Sequence, residues 1–256
     1  MNYIIQADTD IGNVKQTNQD SMSVKAINTP AGRMVFGIMC DGMGGLEKGE
    51  LASASVVNAF NKWIQEKLIE ITEESLTDNY IREEWSNIVV TMNEKIKIYG
   101  KKSGVNLGTT LTAMLVTEQR YYVINVGDTR AYRLNRTGMQ VITKDQTVVA
   151  REVEQGIITE EQAAVDSRRS VLLQCIGASE KVYPDMFYGR VEPDTVFMLC
   201  TDGFRHVINE EEIYTYLQPD NMTTQKQMKS NIRHLIEIVK SRQERDNISV
   251  IAIKTY

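Results

Sequence analysis

The sequence predicts an α+β fold: a four-layer α-β-β-α sandwich of two mainly antiparallel sheets flanked by helix pairs, with a flap insertion. Two observations favour it. Neighbouring predicted strands are joined by short links, which favours antiparallel pairing, and the helices come in consecutive pairs rather than alternating with single strands. No linker or repeat divides the chain, so we expect one domain over residues 1–256, with a flap subdomain at about 144–190.

The first half of the chain begins with three short apolar strands and continues with two helices. The strands are YIIQA (3–7), MSVKAI (22–27) and MVFGIMC (34–40). In each helix, apolar residues recur every three or four positions, which indicates one buried stripe. The stripes consist of Val57, Phe60, Ile64 and Leu68 in the first helix, and Ile81, Trp85, Ile88, Met92, Ile96 and Tyr99 in the second.

Four more strands follow a glycine-containing break at 101–108, and then the polar stretch of the flap from about Lys144 to Arg190. The strands are TLTAMLV (110–116), YYVINVG (121–127), RAYRLN (130–135) and MQVIT (139–143). Beyond the flap we predict the strand TVFMLC (195–200), a helix from about Asn209, a helix over the stripe from Met228 to Val239, and the closing strand NISVIAI (247–253).

The composition of the chain argues against several classes of protein. The chain is 42% hydrophobic and 25% charged, as in ordinary globular proteins, and its net charge of -5 argues against nucleic acid as a partner. Neither a signal peptide nor a run of about 18 apolar residues is present, so we expect no membrane segment. The three cysteines lack CxxC spacing and predict reduced thiols in a cytoplasmic protein.

Aspartates stand at the ends of several predicted strands. They are Asp20, Asp41, Asp128, Asp202 and Asp246. If these ends meet at one mouth of a sandwich, repulsion between the carboxylates requires a cation, and oxygen ligands suit Mg²⁺ or Mn²⁺ better than zinc. The alternative is that each aspartate separately caps a turn or a helix.

The stretch FGIMCDGMGGLEKGE (36–50) sets glycines beside Asp41, which raises three rival interpretations. A P-loop needs Lys and Ser or Thr after its last glycine, but Glu50 follows Gly49. A dinucleotide fingerprint counted from Gly42 ends on Glu47 instead of glycine. A phosphoaspartyl nucleophile of the haloacid dehalogenase kind would need a second aspartate at Met43. All three interpretations fail.

The ordered set of motifs resembles the metal-dependent protein phosphatases of type 2C, in their compact bacterial form. The motifs are GNVKQTNQD (12–20), CDGMGG (40–45), LGTTLTAML (107–115), INVGDTRAYRL (124–134), KDQT (144–147), TDGF (201–204) and RDNISVI (245–251). The resemblance implies a β-sandwich with helices on both faces. It also implies hydrolysis of phosphoserine and phosphothreonine on proteins by water activated between two Mn²⁺ or Mg²⁺ ions, without a covalent intermediate.

Roles for individual residues follow from the same resemblance. Asp41 is expected to bridge the two ions, with the Gly42 carbonyl on one of them and Asp202 and Asp246 on the other. Asp20 is expected to hold water at the ions and Lys15 to bind the substrate phosphate, which makes Asp41, Asp20 and Lys15 the catalytic set. A weaker third ion would use Asp128 with Asp202. The implied partners are phosphorylated proteins and an opposing Ser/Thr kinase, and a monomer is expected.

The chain departs from the family pattern at several positions. Lys15 and Gln146 stand where members usually carry Arg and His, and Asp166-Ser167 replaces a His-Pro pair. His206 stands where another Asp often assists the third ion, and a neutral His can also bind Mn²⁺. These departures leave open a regulatory binding module with little turnover, and a two-metal hydrolase of small phosphoesters remains a third candidate.

The glycines after Asp41 are expected to leave room for ions, water and substrate. Gly44 and Gly45 would let the backbone leave the strand end without side chains crowding the phosphate. Glu47 and Glu50 are expected to begin the next helix, where the helix dipole favours acidic residues, rather than to join the site.

Overall fold

The structure, a computed structural model, describes residues 1–43 and 48–256, so the predictions for Gly44, Gly45 and Glu47 lie outside the described residues. The strands are β1 (Tyr3–Asp10), β2 (Ser21–Thr29), β3 (Gly32–Cys40), β4 (Leu111–Val116), β5 (Arg120–Val126), β6 (Arg130–Asn135), β7 (Gly138–Val141), β8 (Asp185–Arg190), β9 (Val196–Cys200) and β10 (Ile248–Thr255). The helices are α1 (Gly49–Glu66), α2 (Asp78–Ser103), α3 (Val148–Glu154), α4 (Glu160–Val165), α5 (Asp202–Arg205), α6 (Glu210–Leu217) and α7 (Gln225–Ser241).

The strands form two five-stranded sheets. One has the order β1-β10-β9-β6-β7 and the other β2-β3-β4-β5-β8, and every strand pairing in the described part of the chain is antiparallel. Helices α1 and α2 pack on the β2–β8 sheet, and α6 and α7 pack on the other. The predicted four-layer sandwich of the α+β class is confirmed.

Three apolar layers hold the sandwich together. The layer between the sheets contains Val35 and Met39 of β3, Met114 of β4, and Phe197 of β9. The layer under α1 and α2 is rich in aromatic rings, and the layer under α6 and α7 is built on the predicted stripe of α7. Strands that face two apolar layers read as continuous hydrophobic runs, which explains why β3, β4 and β9 were readily identified from sequence.

Strand β8 is a difference from the sequence interpretation. The sequence places residues 185–190 in the flap, but they pair with β5 from Asn125↔Asp185 to Arg120↔Arg190. The segment DMFYGR was missed because it is an edge strand with no fully buried residue, so its apolar signal is weak. The insertion between β7 and β8 contains the short helices α3 and α4.

Local signals at the helix starts agree with the structure. Asn209 caps α6, since its side chain accepts a hydrogen bond from the Glu212 N–H and its own N–H donates one to the Glu212 carboxylate. Glu50 lies in the first turn of α1, as predicted. Among the described helices, none is long and apolar enough to cross a membrane.

Candidate active site

The aspartates at the strand ends come together at one end of the sandwich, and Asp20 shows how the two sheets meet there. Asp20 precedes β2, yet its Oδ2 accepts hydrogen bonds from hydroxyl groups of the other sheet. The Ser249 hydroxyl lies at 2.6 Å and the Thr201 hydroxyl at 3.2 Å. Thr201 directly precedes Asp202, so these bonds fix the end of β2 against the ends of β9 and β10.

Asp41 is held in place through its backbone. Its N–H donates to the Thr110 hydroxyl at 2.9 Å, and its carbonyl oxygen accepts from the Thr110 N–H and the Thr109 hydroxyl, both at 2.9 Å. The LGTT motif therefore fixes the end of β3 and leaves the Asp41 carboxylate available. Local sequence gave no sign of this role for the two threonines.

Gly42 lies where three stretches of backbone approach closely. Its N–H donates to the Gln19 carbonyl at 3.1 Å. A Cβ added at Gly42 would lie 2.5 Å from the Gln19 oxygen and 2.5 Å from the Gly49 carbonyl group, a clash with rigid backbone. Glycine at this position is therefore required by packing, in addition to the role that the sequence predicts for its carbonyl.

The carboxylates repel one another strongly. Burial, with repulsion from Asp202 and Asp246, raises the pKa of Asp20 to about 7 against the opposing hydrogen bond from Ser249. Burial and then the charge of Asp20 raise the pKa of Asp41 well above its usual value. Burial and the charge of Asp202 likewise raise the pKa of Asp128 to about 7. Carboxyl groups whose pKa values are raised in this way can all be ionised at the same time only if cations lie beside them.

The donor atoms fit a hard cation. Oδ1 of Asp20 and Oδ1 of Asp202 are buried and have no hydrogen-bond partner within residues 1–43 and 48–256. Unpaired buried carboxylate oxygens are costly, and a divalent ion is a natural partner for them. In the same ranges, no three His, Cys, Asp or Glu side chains already have the spacing of ion ligands.

Two cationic side chains contact the predicted ligands directly. The Lys15 Nζ lies 2.8 Å from Oδ1 of Asp246, and both side chains are partly exposed. The Nε2 atom of His206 lies 3.2 Å from Oδ2 of Asp202. Burial opposes ionisation of Asp202, but the hydrogen bond and charge of His206 hold the pKa of Asp202 well below its usual value.

Arg205 contacts Asp128, the acid that the sequence predicts as a ligand of a third ion. Its Nη2 donates to the backbone oxygen of Asp128 at 2.9 Å and lies 4.0 Å from the Asp128 carboxylate. The same nitrogen is 3.2 Å from Asp145, which also makes a bidentate pair with Arg130 at 2.7 and 2.8 Å. Arg205 is thereby fixed beside Asp128 as a permanent positive charge.

Gln146 has a structural role at the base of the flap. Its Oε1 accepts from the Gly127 N–H at 2.8 Å and from the Gln174 side chain at 2.9 Å, and its Nε2 donates to Asp185 at 2.8 Å. The side chain is buried. Asp166 lies on the exposed part of the flap, where it pairs with Arg168 at 2.8 Å.

Comparison with known proteins assigns the family. The family model described as Protein phosphatase 2C matches residues 12–249. The chain belongs to this family. Among relatives of the protein phosphatase 2C family, it is 28% identical over 222 residues to the Serine/threonine phosphatase stp of Listeria welshimeri, covering 85% of this chain and 84% of that protein.

Solved structures of this family have the same fold. The serine/threonine phosphatase Stp1 of Staphylococcus aureus superimposes with a TM-score of 0.86 at 25% identity, over 100% of this chain and 96% of that one. The catalytic domain of the protein phosphatase PstP, in complex with two manganese ions, gives 0.77 at 25% identity, over 98% and 97% of the two chains. The resemblance seen in the motifs is confirmed.

Glu244 is a buried acid close to Asp246 that the sequence alone does not single out. Its buried carboxylate contacts His206 and the backbone leading to Asp246. It is the second residue before Asp246, but no local pattern distinguishes it from the surface acids of the chain. Its partner His206 belongs to a distant part of the sequence, so only the fold shows the contact.

Proposed function

We propose that this protein phosphatase 2C family member hydrolyses phosphoserine and phosphothreonine in proteins, using two Mn²⁺ or Mg²⁺ ions and no covalent intermediate. The observation that carries the proposal is the group of repelling carboxylates at the sandwich end, with Oδ1 of Asp20 and of Asp202 buried and unpaired in the described part of the chain. The names of the relatives and the two manganese ions reported for PstP support it.

Each ligand has a proposed role. Asp41 would contribute its carboxylate to both ions, the Gly42 carbonyl would contribute to one and Asp202 and Asp246 to the other, and Asp20 would hold water beside them. Ions bound there would lower the pKa of a water molecule and would stabilise negative charge on the phosphate oxygens. The protein contributes a rigid frame: the Asp41 backbone is fixed by Thr110, and Asp20 is fixed by Ser249.

A third ion at Asp128 and Asp202 is a weaker part of the proposal. Asp128 is buried, and its pKa is raised to about 7 by burial and by Asp202, which favours a cation there. Arg205 already places a positive charge 4.0 Å from the Asp128 carboxylate, and it would oppose an additional ion. We therefore assign only low affinity to this site.

The proposed biological setting is removal of phosphate added by a Ser/Thr protein kinase. The three cysteines are buried and free, which supports a reducing compartment and hence the cytoplasm. Phosphorylated proteins are the proposed substrates. A small phosphoester is the competing substrate class, and a parallel panel of phosphothreonine peptides and nucleotides decides between them: faster hydrolysis of nucleotides would contradict the proposal.

The decisive test is a phosphatase assay with purified protein. A phosphothreonine peptide should be hydrolysed when Mn²⁺ is added, turnover should stop with a chelator, and added Mn²⁺ should restore it. Undiminished turnover after exhaustive chelation would rule out the proposed metal chemistry. Mg²⁺ in place of Mn²⁺ shows which of the two ions supports the faster reaction.

Replacing Lys15 by arginine should improve substrate binding. Lys15 is a point charge that also contacts Asp246, whereas a guanidinium can bind a phosphate through two parallel hydrogen bonds. We expect Lys15→Arg to lower the KM for a phosphothreonine peptide about threefold to tenfold, which is up to about 1.4 kcal/mol, with kcat little changed. Lys15→Ala is the matched control, and it should raise the KM.

A regulatory binding module is the second candidate function. The observation that favours it is the Lys15–Asp246 contact of 2.8 Å, in which the ammonium group occupies a carboxylate oxygen proposed as an ion ligand. Mn²⁺ binding measured beside turnover separates the two functions. A folded protein that binds Mn²⁺ but turns over no phosphopeptide, even as Lys15→Arg, would favour the module.

A further inference from the structure

Glu244 is a buried acid in the turn between α7 and β10, two residues before Asp246. Its Oε1 accepts hydrogen bonds from the backbone N–H groups of Arg245 at 2.7 Å and of Asp246 at 3.0 Å. Its other oxygen, Oε2, lies 3.5 Å from Nδ1 of His206. Both carboxylate oxygens are therefore engaged, and the side chain has a fixed orientation.

The end of α7 turns Glu244 inward. The Gln243 N–H donates to the Lys240 carbonyl at 3.0 Å, and the Glu244 N–H reaches the Val239 carbonyl at 3.4 Å, the two-bond pattern that commonly closes a helix. Gln243 has a φ of 65°, in the left-handed region that glycine normally occupies at this position. The backbone thus adopts a disfavoured conformation directly before Glu244.

His206 connects Glu244 to Asp202. One ring nitrogen, Nε2, lies 3.2 Å from Oδ2 of Asp202, and the other, Nδ1, lies 3.5 Å from Oε2 of Glu244. His206 directly follows the short helix α5, and its backbone N–H donates a hydrogen bond to the Asp202 carbonyl at 3.0 Å. A carboxylate contacts each of the two ring nitrogens. The geometry therefore fits a side chain that orients Asp202, and it fits the role of a third-ion ligand less well.

The two acids joined in this way lie at the ends of neighbouring strands. Strand β9 ends two residues before Asp202, β10 begins two residues after Asp246, and the strands pair at Cys200↔Val250. A Cβ added at Gly203 would collide with the Asn247 carbonyl oxygen, so α5 is pressed against the start of β10. The Glu244–His206 pair forms a side-chain link across this contact.

We propose that Glu244 and His206 are positioning residues, which hold the Asp202 carboxylate and the backbone of Asp246 in a fixed relative position for one shared ion. This inference rests on the proposed function, because it takes Asp202 and Asp246 as ion ligands. Groups that orient metal ligands typically contribute about 10–100-fold to metal affinity or activity. An ion pair with a purely structural role would change the free energy of unfolding and leave metal affinity unaltered.

The test is the affinity of metal-free protein for Mn²⁺, measured by isothermal titration calorimetry on the full chain. We expect His206→Ala to bind Mn²⁺ about 10–100-fold more weakly than the wild type. The Mn²⁺ concentration for half-maximal phosphatase activity should rise by the same factor, while the KM for substrate at saturating Mn²⁺ is retained. The matched control is His234→Ala, which removes the other histidine, an exposed ring bonded to Tyr216 at 3.0 Å.

Glu244→Gln provides a second variant if His206→Ala does not fold, as judged by circular dichroism. Glutamine keeps an oxygen for the two backbone N–H groups but removes the carboxylate facing His206, and we expect about tenfold weaker Mn²⁺ binding. Melting temperatures of the metal-free proteins separate an effect on the ion site from an effect on folding.

Titration of an Asp202→Asn variant with Mn²⁺ distinguishes failure of the ligand assignment from failure of the positioning role. A wild-type protein that binds no Mn²⁺, or an Asp202→Asn variant that binds it as well as the wild type, would refute the ligand assignment itself. Suppose instead that Asp202→Asn loses affinity while the folded variants at His206 and Glu244 stay within about twofold of the wild type, well short of the usual effect. Only the positioning role is then overturned.

Discussion

Replacing Asp41 by alanine is expected to reduce Mn²⁺-dependent hydrolysis by at least about 1,000-fold, because the carboxylate proposed to hold both ions is lost. Metal ions contribute several kcal/mol to such reactions, and each 1.36 kcal/mol corresponds to a factor of ten in rate. The measurement is kcat/KM for a phosphothreonine peptide at saturating Mn²⁺. Calorimetric titration with Mn²⁺ should show the corresponding loss of ion binding.

The Asp41→Ala protein should still fold. The contacts that fix Asp41 are made by its backbone with Thr109 and Thr110, and alanine retains them. The change also removes a carboxylate that is repelled by Asp20 and Asp202, so the free energy of unfolding of the metal-free protein should not fall. A variant that loses activity only because it is unfolded would not support the assignment.

Asp220→Ala is the control for the Asp41 prediction. Asp220 has a side chain that is 64% exposed and pairs with Arg136. It lies near the far end of β10, where Lys254 bonds to the Pro219 carbonyl. An eight-residue strand spans about 26 Å, so this acid is remote from the proposed site. Equal losses of activity in the two variants would contradict the role given to Asp41.

The fold was predictable from sequence where burial is strong. Strands β3, β4 and β9 are almost wholly apolar, and the stripes of α2 and α7 recur at helical spacing. Most of these residues face an apolar layer, but Tyr99, the last residue of the predicted α2 stripe, is 46% exposed, so the prediction was wrong there. Strand β8 carries neither, because it pairs on one side only and is half exposed, so its place in the sheet depends on β5 rather than on its own sequence.

The sequence predicts those residues of the candidate site that lie next to the ends of apolar strands. Asp20 and Asp41 were located from the position of their carboxylates next to apolar runs, and the structure brings them together. The contact of Lys15 with Asp246 and the link from His206 to Glu244 join residues from separate parts of the chain. Such pairs are set by the packing of the two sheets, which no local pattern contains.

Truncating Trp85 is expected to be the most damaging change in the core. Trp85 on α2 is fully buried, and its ring centre lies 5.9 Å from Phe36 of β3, 6.0 Å from Phe60 and 5.9 Å from Trp63, both of α1. Trp85→Ala should lower the free energy of unfolding by about 3–5 kcal/mol, through lost burial and the cavity left behind. Urea-induced unfolding followed by far-ultraviolet circular dichroism measures this change.

The matched variant Trp85→Phe separates lost volume from lost polarity. The indole Nε1 is buried without a hydrogen-bond partner in the described ranges, so removing that N–H offsets part of the lost ring contact. The expected cost of Trp85→Phe is below about 2 kcal/mol. A Trp85→Ala protein within about 1 kcal/mol of the wild type would contradict the prediction, since it implies that the cavity collapses at little cost.

Because Phe36 lies on the strand that ends directly before Asp41, loss of this aromatic cluster should also lower Mn²⁺ affinity in any variant that remains folded.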